Sequence, residues 1–175
     1  DASAHADDTA VFFMSDHGDH LGQHCMYQKM EMYEQATRVP MILSVPDGAT
    51  AEIDAPVSHL DIMPTILDLM GLDAPDDLDG ISLLNCLRTG EAPPDRPQYS
   101  AYSGNPMVGD IRRAVITRRH KYIHDPNDVP ELYDLEADPL EMRNLAADPG
   151  TREVVRELHA LGESWAESHD DPAPW

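Results

Sequence analysis

Between positions 16 and 29 the chain gathers Asp16, His17, Asp19, His20, His24 and Lys29, its densest run of ligand-type side chains. Carboxylates and imidazoles hold divalent cations. A lysine ammonium is a compact charge suited to an anion. His17, His20 and His24 are spaced by three and four, so on a helix they would share one face, and three imidazoles could bind zinc. Gly18 and Gly22 inside the stretch, and the lack of an adjacent Glu as base, weigh against that arrangement. Asp16 and His17 offer a second one. Consecutive residues reach one cation only where a strand turns into a loop, and their mixed oxygen and nitrogen donors suit Ca²⁺, Mg²⁺, Mn²⁺ or Zn²⁺. The same pair could equally be a helix-capping aspartate beside a hydrogen-bonded loop histidine. Lys29 is either an anion contact or one arm of a surface ion pair with Glu31 or Glu34.

The elements that must position these residues follow from the flanking sequence. Val11-Phe12-Phe13-Met14 runs directly into Ser15-Asp16-His17-Gly18. Its lack of alternation predicts a strand covered on both faces, as in a parallel sheet, and ligands bind outside the carboxyl ends of such strands. Residues 31–38 read as irregular or briefly helical. Pro40 introduces a second buried-type strand, Met41 to Val45, stopped by Pro46-Asp47-Gly48. Ser58 and Asp61 form a capping box for a helix with Pro64 in its first turn, an apolar stripe of Met63, Ile66, Leu67 and Met70, and Gly71 as C-cap. Three prolines and a glycine in residues 89–97 predict a linker.

Beyond it the texture changes. Tyr99 to Tyr102, Ala114 to Thr117, Tyr122 to His124 and Glu131 to Leu135 predict a small antiparallel sheet, with Arg118-Arg119 in a tight connection. Asp148-Pro149 starts a final helix with Val154, Leu158, Leu161 and Trp165 on one face. The domains predicted are thus residues 1–97, an α/β core portion, and 98–175, a small antiparallel-sheet-plus-helix subdomain.

Composition bounds the function. The 175 residues carry 33 acids against 12 bases, a net charge of −21. Nucleic-acid binding requires phosphate neutralisation, so this balance argues against it. High acid with only Lys29 and Lys121 as lysines fits either a protein solvated in strong salt, where self-repulsion is screened, or a generally acidic surface. No apolar run of about 18 residues predicts a membrane span. Cys25 and Cys86 alone make no disulfide framework and read as free thiols. The opening Asp1-Ala2-Ser3 reads as the middle of a longer chain, so the sequence names no compartment.

Taken together, Ser15-Asp16-His17-Gly18, Leu21-Gly22-Gln23-His24, Lys29, Tyr33-Glu34 and Thr37-Arg38-Val39-Pro40 resemble the sulfatase family, whose pattern is S-D-H/N-G, x-x-L-G-x-H, a lysine and Y-E-x-x-x-R-V-P before an apolar strand. Leu60 to Asp68 is similar to its L-D-x-x-P-T-L-L-D helix, and Asp79-Gly80-Ile81-Ser82-Leu83 to its D-G-x-S-L. Lys121-Tyr122-Ile123, Glu131 to Leu135, Asp138-Pro139 and Glu141 to Leu145 resemble its C-terminal subdomain. The resemblance runs through residues 9–165. It implies the C-terminal part of an alkaline-phosphatase-like α/β sandwich. It also implies Asp16 and His17 as metal ligands, Lys29 as a sulfate contact and His24 as the histidine beside the pocket. The implied metal is Ca²⁺, with Mg²⁺, Mn²⁺ or Zn²⁺ as alternatives, and the implied substrate is a sulfated small molecule or glycan.

One departure matters. The family's nucleophile is a formylglycine made from C/S-x-P-x-R, and no such run occurs here. Ser44-Val45-Pro46 comes nearest and lacks the arginine. The paired N-terminal aspartates that complete the family's metal site are also absent. The resemblance therefore implies a C-terminal portion that requires the rest of its own chain, and these residues alone are expected to fold poorly and show no turnover. Two other readings stay open: a phosphodiester or phosphonate ester hydrolase of the same superfamily, and a non-catalytic remnant that binds an anion or partner. Arg112, Arg113, Arg118 and Arg119 could line a sulfated-sugar cleft or pair with nearby acids.

Overall fold

A computed structural model of the chain describes residues 4–104, 110–172 and 175. Asp1-Ala2-Ser3 lies outside them. The chain divides into two units, one formed by Asp1–Ser15 with Pro40–Arg96, the other by Asp16–Val39 with Pro97–Trp175.

In the first unit, β1 (Val11–Met14) pairs with β2 (Met41–Ser44). The pairing is antiparallel, with Phe13 opposite Ile42 and Val11 opposite Ser44. The parallel, doubly covered strands expected from the apolar runs are not what forms among the described residues. Alternate positions face outward, and Val11, Phe13 and Ile42 are 55%, 59% and 62% exposed. A short apolar run states hydrophobicity but neither strand direction nor how many faces are covered. Helix α1 (Glu34–Thr37) belongs to the other unit. Next in the first unit come α2 (Ile62–Leu69) and α3 (Leu84–Thr89).

The capping box forms as read. The Ser58 amide donates to Asp61 Oδ2 at 2.9 Å, and Ser58 Oγ accepts the Leu60 amide at 3.2 Å. Asp61 is wholly buried. Its Oδ1 also accepts the Ile81 amide at 2.9 Å and pairs with Arg96. A Cβ on Gly80 would stand 1.9 Å from the Leu60 carbonyl oxygen, so only glycine admits this approach. The stripe on α2 faces outward instead of inward: Met63, Ile66 and Met70 are exposed, whereas Pro64 and Thr65 are buried. Thr65 explains the inversion. Its hydroxyl donates to Asp61 O at 2.6 Å and accepts the Leu83 amide at 2.8 Å, which turns that face toward the 80–83 segment.

The second unit is built on an antiparallel meander of β3 (Gln98–Ser103), β4 (Ile111–Ile116), β5 (His120–His124) and β6 (Glu131–Asp134). Successive side chains point to opposite faces, and both faces are covered. Val115, Tyr122 and Leu132 pack on Leu158 of α4 (Arg152–Ser168). Ala114, Ile123 and Tyr133 pack on Met32, with Tyr33 alongside. Each fully buried aliphatic side chain of this kind contributes roughly 1.5–3 kcal/mol. Asp148 caps the turn ahead of α4 by accepting the Gly150 amide at 2.8 Å. Gly162 makes room for Trp175, since a Cβ there would come within 1.9 Å of the indole. The strap of residues 16–39 is thus held against one face of the sheet, and it carries every candidate site residue.

Candidate functional site

The strap closes on itself at Gly18. Its amide donates to the Ala36 carbonyl at 2.9 Å, and a Cβ would lie 1.9 Å from the Gln35 carbonyl oxygen. Asp16 and His17 are fixed just before this contact. The His17 amide donates to Asp16 Oδ1 at 3.0 Å, and Asp16 Oδ2 lies 3.5 Å from His17 Nε2. The hydrogen bond from the His17 amide holds the Asp16 carboxyl below the usual carboxylate range. It is therefore an anion at neutral pH.

His17 Nδ1 lies 2.8 Å from the Gly18 carbonyl oxygen. A carbonyl only accepts, so Nδ1 carries the proton, and the Lys29 ammonium, which only donates, meets Nε2 as the acceptor with the lone pair. Lys29 Nζ contacts that Nε2. Carboxylate, imidazole lone pair and ammonium thus converge on one spot, and the structure brings Asp16, His17 and Lys29 together.

His24 sits apart from the three. Its ring lies flat on Tyr33, with centroids 4.2 Å apart and planes at 6°. The buried His24 Nε2 has no hydrogen-bond partner among the described residues. His20 meets both rings edge-on at 6.3 and 5.9 Å and is buried with neither ring nitrogen paired among the described residues. Burial pushes its imidazole down in pKa. The three histidines do not share a helical face, because Leu21, His24, Cys25 and Gln28 all have positive φ. Such backbone costs about 1–3 kcal/mol per residue and clusters at functional sites. Among the described residues, no three His, Cys, Asp or Glu side chains are arranged to hold an ion. Asp16 and His17 present two donors.

The arginines of the sheet face their own acids. Arg112 pairs with Asp110 at 2.8 Å, Glu31 at 3.0 Å and Asp125 at 3.4 Å. Arg113 grips Asp171 at 2.6 Å and Arg119 pairs with Asp134 at 2.8 Å. Cys25 and Cys86 are free thiols. No helix among the described residues is long and apolar enough to cross a membrane.

Sequence reasoning missed the network that holds the strap. Lys121, on β5, is fully buried. Its Nζ lies 2.6 Å from Glu34 Oε1 and 2.9 Å from Glu141 Oε1. Nearby, the hydroxyls of Tyr33 and Tyr133 both donate to Glu131 Oε2. One signal was available: Lys121 is one of only two lysines and directly precedes the apolar pair Tyr122-Ile123.

Residues 22–166 match the family model described as N-sulphoglucosamine sulphohydrolase, C-terminal. The chain is 37% identical over 147 residues to a choline-sulfatase of Rhizobium meliloti, covering 82% of this chain and 28% of that protein. It is 33% identical to an N-acetylglucosamine-6-O-sulfatase of Bacteroides thetaiotaomicron, covering 96% of this chain and 32% of that protein. A structure solved in complex with its substrate D-glucosamine-2-N,6-O-disulfate superposes with a TM-score of 0.83 at 30% identity, covering 98% of this chain and 36% of that one. The chain thus spans about a third of the length of these relatives.

Proposed function

The chain belongs to the sulfatases, in the family described as N-sulphoglucosamine sulphohydrolase, C-terminal, and on that premise we propose that it is the C-terminal portion of a metal-dependent sulfuric ester hydrolase. The carrying observation is the convergence of Asp16, His17 and Lys29, with Asp16 Oδ2 3.5 Å from His17 Nε2 and the ammonium against the same nitrogen.

The donor set fits a divalent cation, Ca²⁺ first. Asp16 is an anion, and the Nδ1–H bond to Gly18 aims the His17 lone pair as second-sphere contacts aim metal-bound imidazoles. When bound, the cation would polarise a sulfate oxygen. Lys29 would contact the sulfate and offset charge developing on the leaving ester oxygen. His24, stacked on Tyr33, would form the pocket wall beside it. Two donors alone hold a cation weakly, and the chain contains no C/S-x-P-x-R run to supply the formylglycine. Catalysis therefore requires the rest of a sulfatase. The N-acetylglucosamine-6-O-sulfatase among the relatives and the similar structure holding D-glucosamine-2-N,6-O-disulfate favour a sulfated small molecule or glycan.

The test is hydrolysis of an aryl sulfate by the complete protein, beside an aryl phosphonate ester. Faster sulfate ester turnover that falls at least about 100-fold in Asp16→Ala and Lys29→Ala supports the reading. Faster phosphonate turnover would move it to the second superfamily activity. Equal rates in the variants would remove these residues from the site.

A further inference from the structure

The residues that aim the candidate metal pair need not touch it. Helix α1 is only one turn long and cannot be stable by itself. Its Glu34 amide, an orphan donor at the helix start, is taken by Glu141 Oε2 at 2.6 Å. Glu141 lies on the segment after β6 with φ 54°, is fully buried, and reaches across to α1 from that strained backbone. Its other oxygen meets Lys121 Nζ at 2.9 Å, and the same ammonium binds Glu34 Oε1 at 2.6 Å and donates to Thr37 Oγ1 at 3.2 Å. Both ends of α1 are therefore gripped by one buried charge group. The grip continues to the site, because Ala36 in α1 accepts the Gly18 amide and Gly18 accepts the His17 Nδ1–H.

We propose that Lys121 and Glu141 are positioning residues for the Asp16–His17 pair, acting through α1 and Gly18. A buried ion group is weak evidence for stability, since apolar residues of equal volume commonly do as well. What it supplies is a fixed geometry. Three oxygen partners define the ammonium position, and that position sets where α1 stands against β5. The proposal rests on the metal reading of Asp16 and His17 only for its consequence in binding; the link from Lys121 to the His17 ring stands on its own contacts.

The test uses the complete protein, uniformly labelled with ¹⁵N, read for the His17 ring nitrogens and for Mn²⁺-induced broadening of the Asp16 and His17 amides. Wild type is expected to show one protonated and one lone-pair nitrogen at His17. Lys121→Met should keep the sheet's amide dispersion, average the two His17 nitrogen shifts, and raise the Mn²⁺ needed for equal broadening at least about tenfold. Glu141→Gln should shift both readouts in the same direction by less, and Arg156→Ala on the exposed face of α4 should shift neither. A folded Lys121→Met protein with the wild-type His17 spectrum overturns the proposal. If Lys121→Met does not fold, Glu141→Gln decides: an unchanged His17 spectrum in it overturns the proposal equally. Absence of Mn²⁺ broadening at Asp16 and His17 in wild type would sink the metal reading, while the His17 ring spectra would still decide the positioning role.

Discussion

His17 donates its Nδ1–H to the carbonyl oxygen of Gly18 at 2.8 Å, and this contact decides which ring nitrogen is left to act. Gly18 therefore does two things. Its carbonyl accepts the hydrogen bond that fixes the tautomer, and its lack of a Cβ lets the strap close on Gln35 and Ala36.

Gly18→Ala tests that double role. The added Cβ would stand 1.9 Å from the Gln35 carbonyl oxygen, so the strap must open. The expected cost is about 1–3 kcal/mol, as for other overpacked sites, read as a lowered urea midpoint. The His17 tautomer signature should be lost with it. An unchanged midpoint and spectrum would show that the closure is not needed.

Arg113 and Asp171 make a second test, remote from the site. Arg113 Nε and Nη2 meet the two carboxylate oxygens at 2.6 and 2.8 Å. The two side chains are only 6% and 9% exposed. Asp171→Asn leaves the guanidinium buried without its counter-charge, at a cost of about 3–5 kcal/mol. Because the pair is buried, the loss should change little between low and high salt. A change below about 0.5 kcal/mol would place the pair with ordinary surface bridges.

Alkaline titration probes the Tyr33–Glu131–Tyr133 cluster. Burial first, then the bond to Glu131, pushes Tyr33 up to about 12 from its ordinary 10.0, and Tyr133 is raised by the same causes. The folded state thus holds protons that the unfolded state gives up. Stability from these groups is complete below pH 10 and is lost as pH rises through the folded value. Phenolate absorbance from these tyrosines should appear together with loss of the sheet's circular dichroism, well above the ordinary tyrosine value of about 10. In Tyr33→Phe the phenolate signal accompanying unfolding should shrink. Simple titration of every tyrosine near pH 10 in a folded protein would contradict this.

The 175 residues alone should release no sulfate from an aryl sulfate, with or without Ca²⁺, because they contain no C/S-x-P-x-R run. They should also bind a hydrophobic dye, since Phe13, Ile42, Met63 and Met70 are exposed in the first unit. Metal-dependent turnover by the purified chain would refute the proposed division of labour.

Much of this was legible in the sequence because local chemistry dictated it. The Ser58–Asp61 box needs only its own four residues, and the meander announced itself through short strands and polar turns. The Asp16, His17 and Lys29 grouping was legible through motif order. What stayed hidden depends on distant partners. The outward face of α2 is set by Thr65 bonding Leu83, and the antiparallel pairing of β1 is set by β2, neither of which leaves a local pattern. Lys121 looked like any strand-end lysine until Glu34 and Glu141 were placed around it. Helical spacing of His17, His20 and His24 does not give a shared face, as Gly18 and Gly22 had indicated, because positive φ at Leu21 and His24 breaks the helix on which that spacing relies.

The most direct measurement is metal content of the complete protein after exhaustive dialysis. About one equivalent of a divalent cation is expected in wild type and in His20→Ala, with loss of it in Asp16→Ala and His17→Ala proteins that remain folded. Full retention of the metal in both Asp16→Ala and His17→Ala would contradict it.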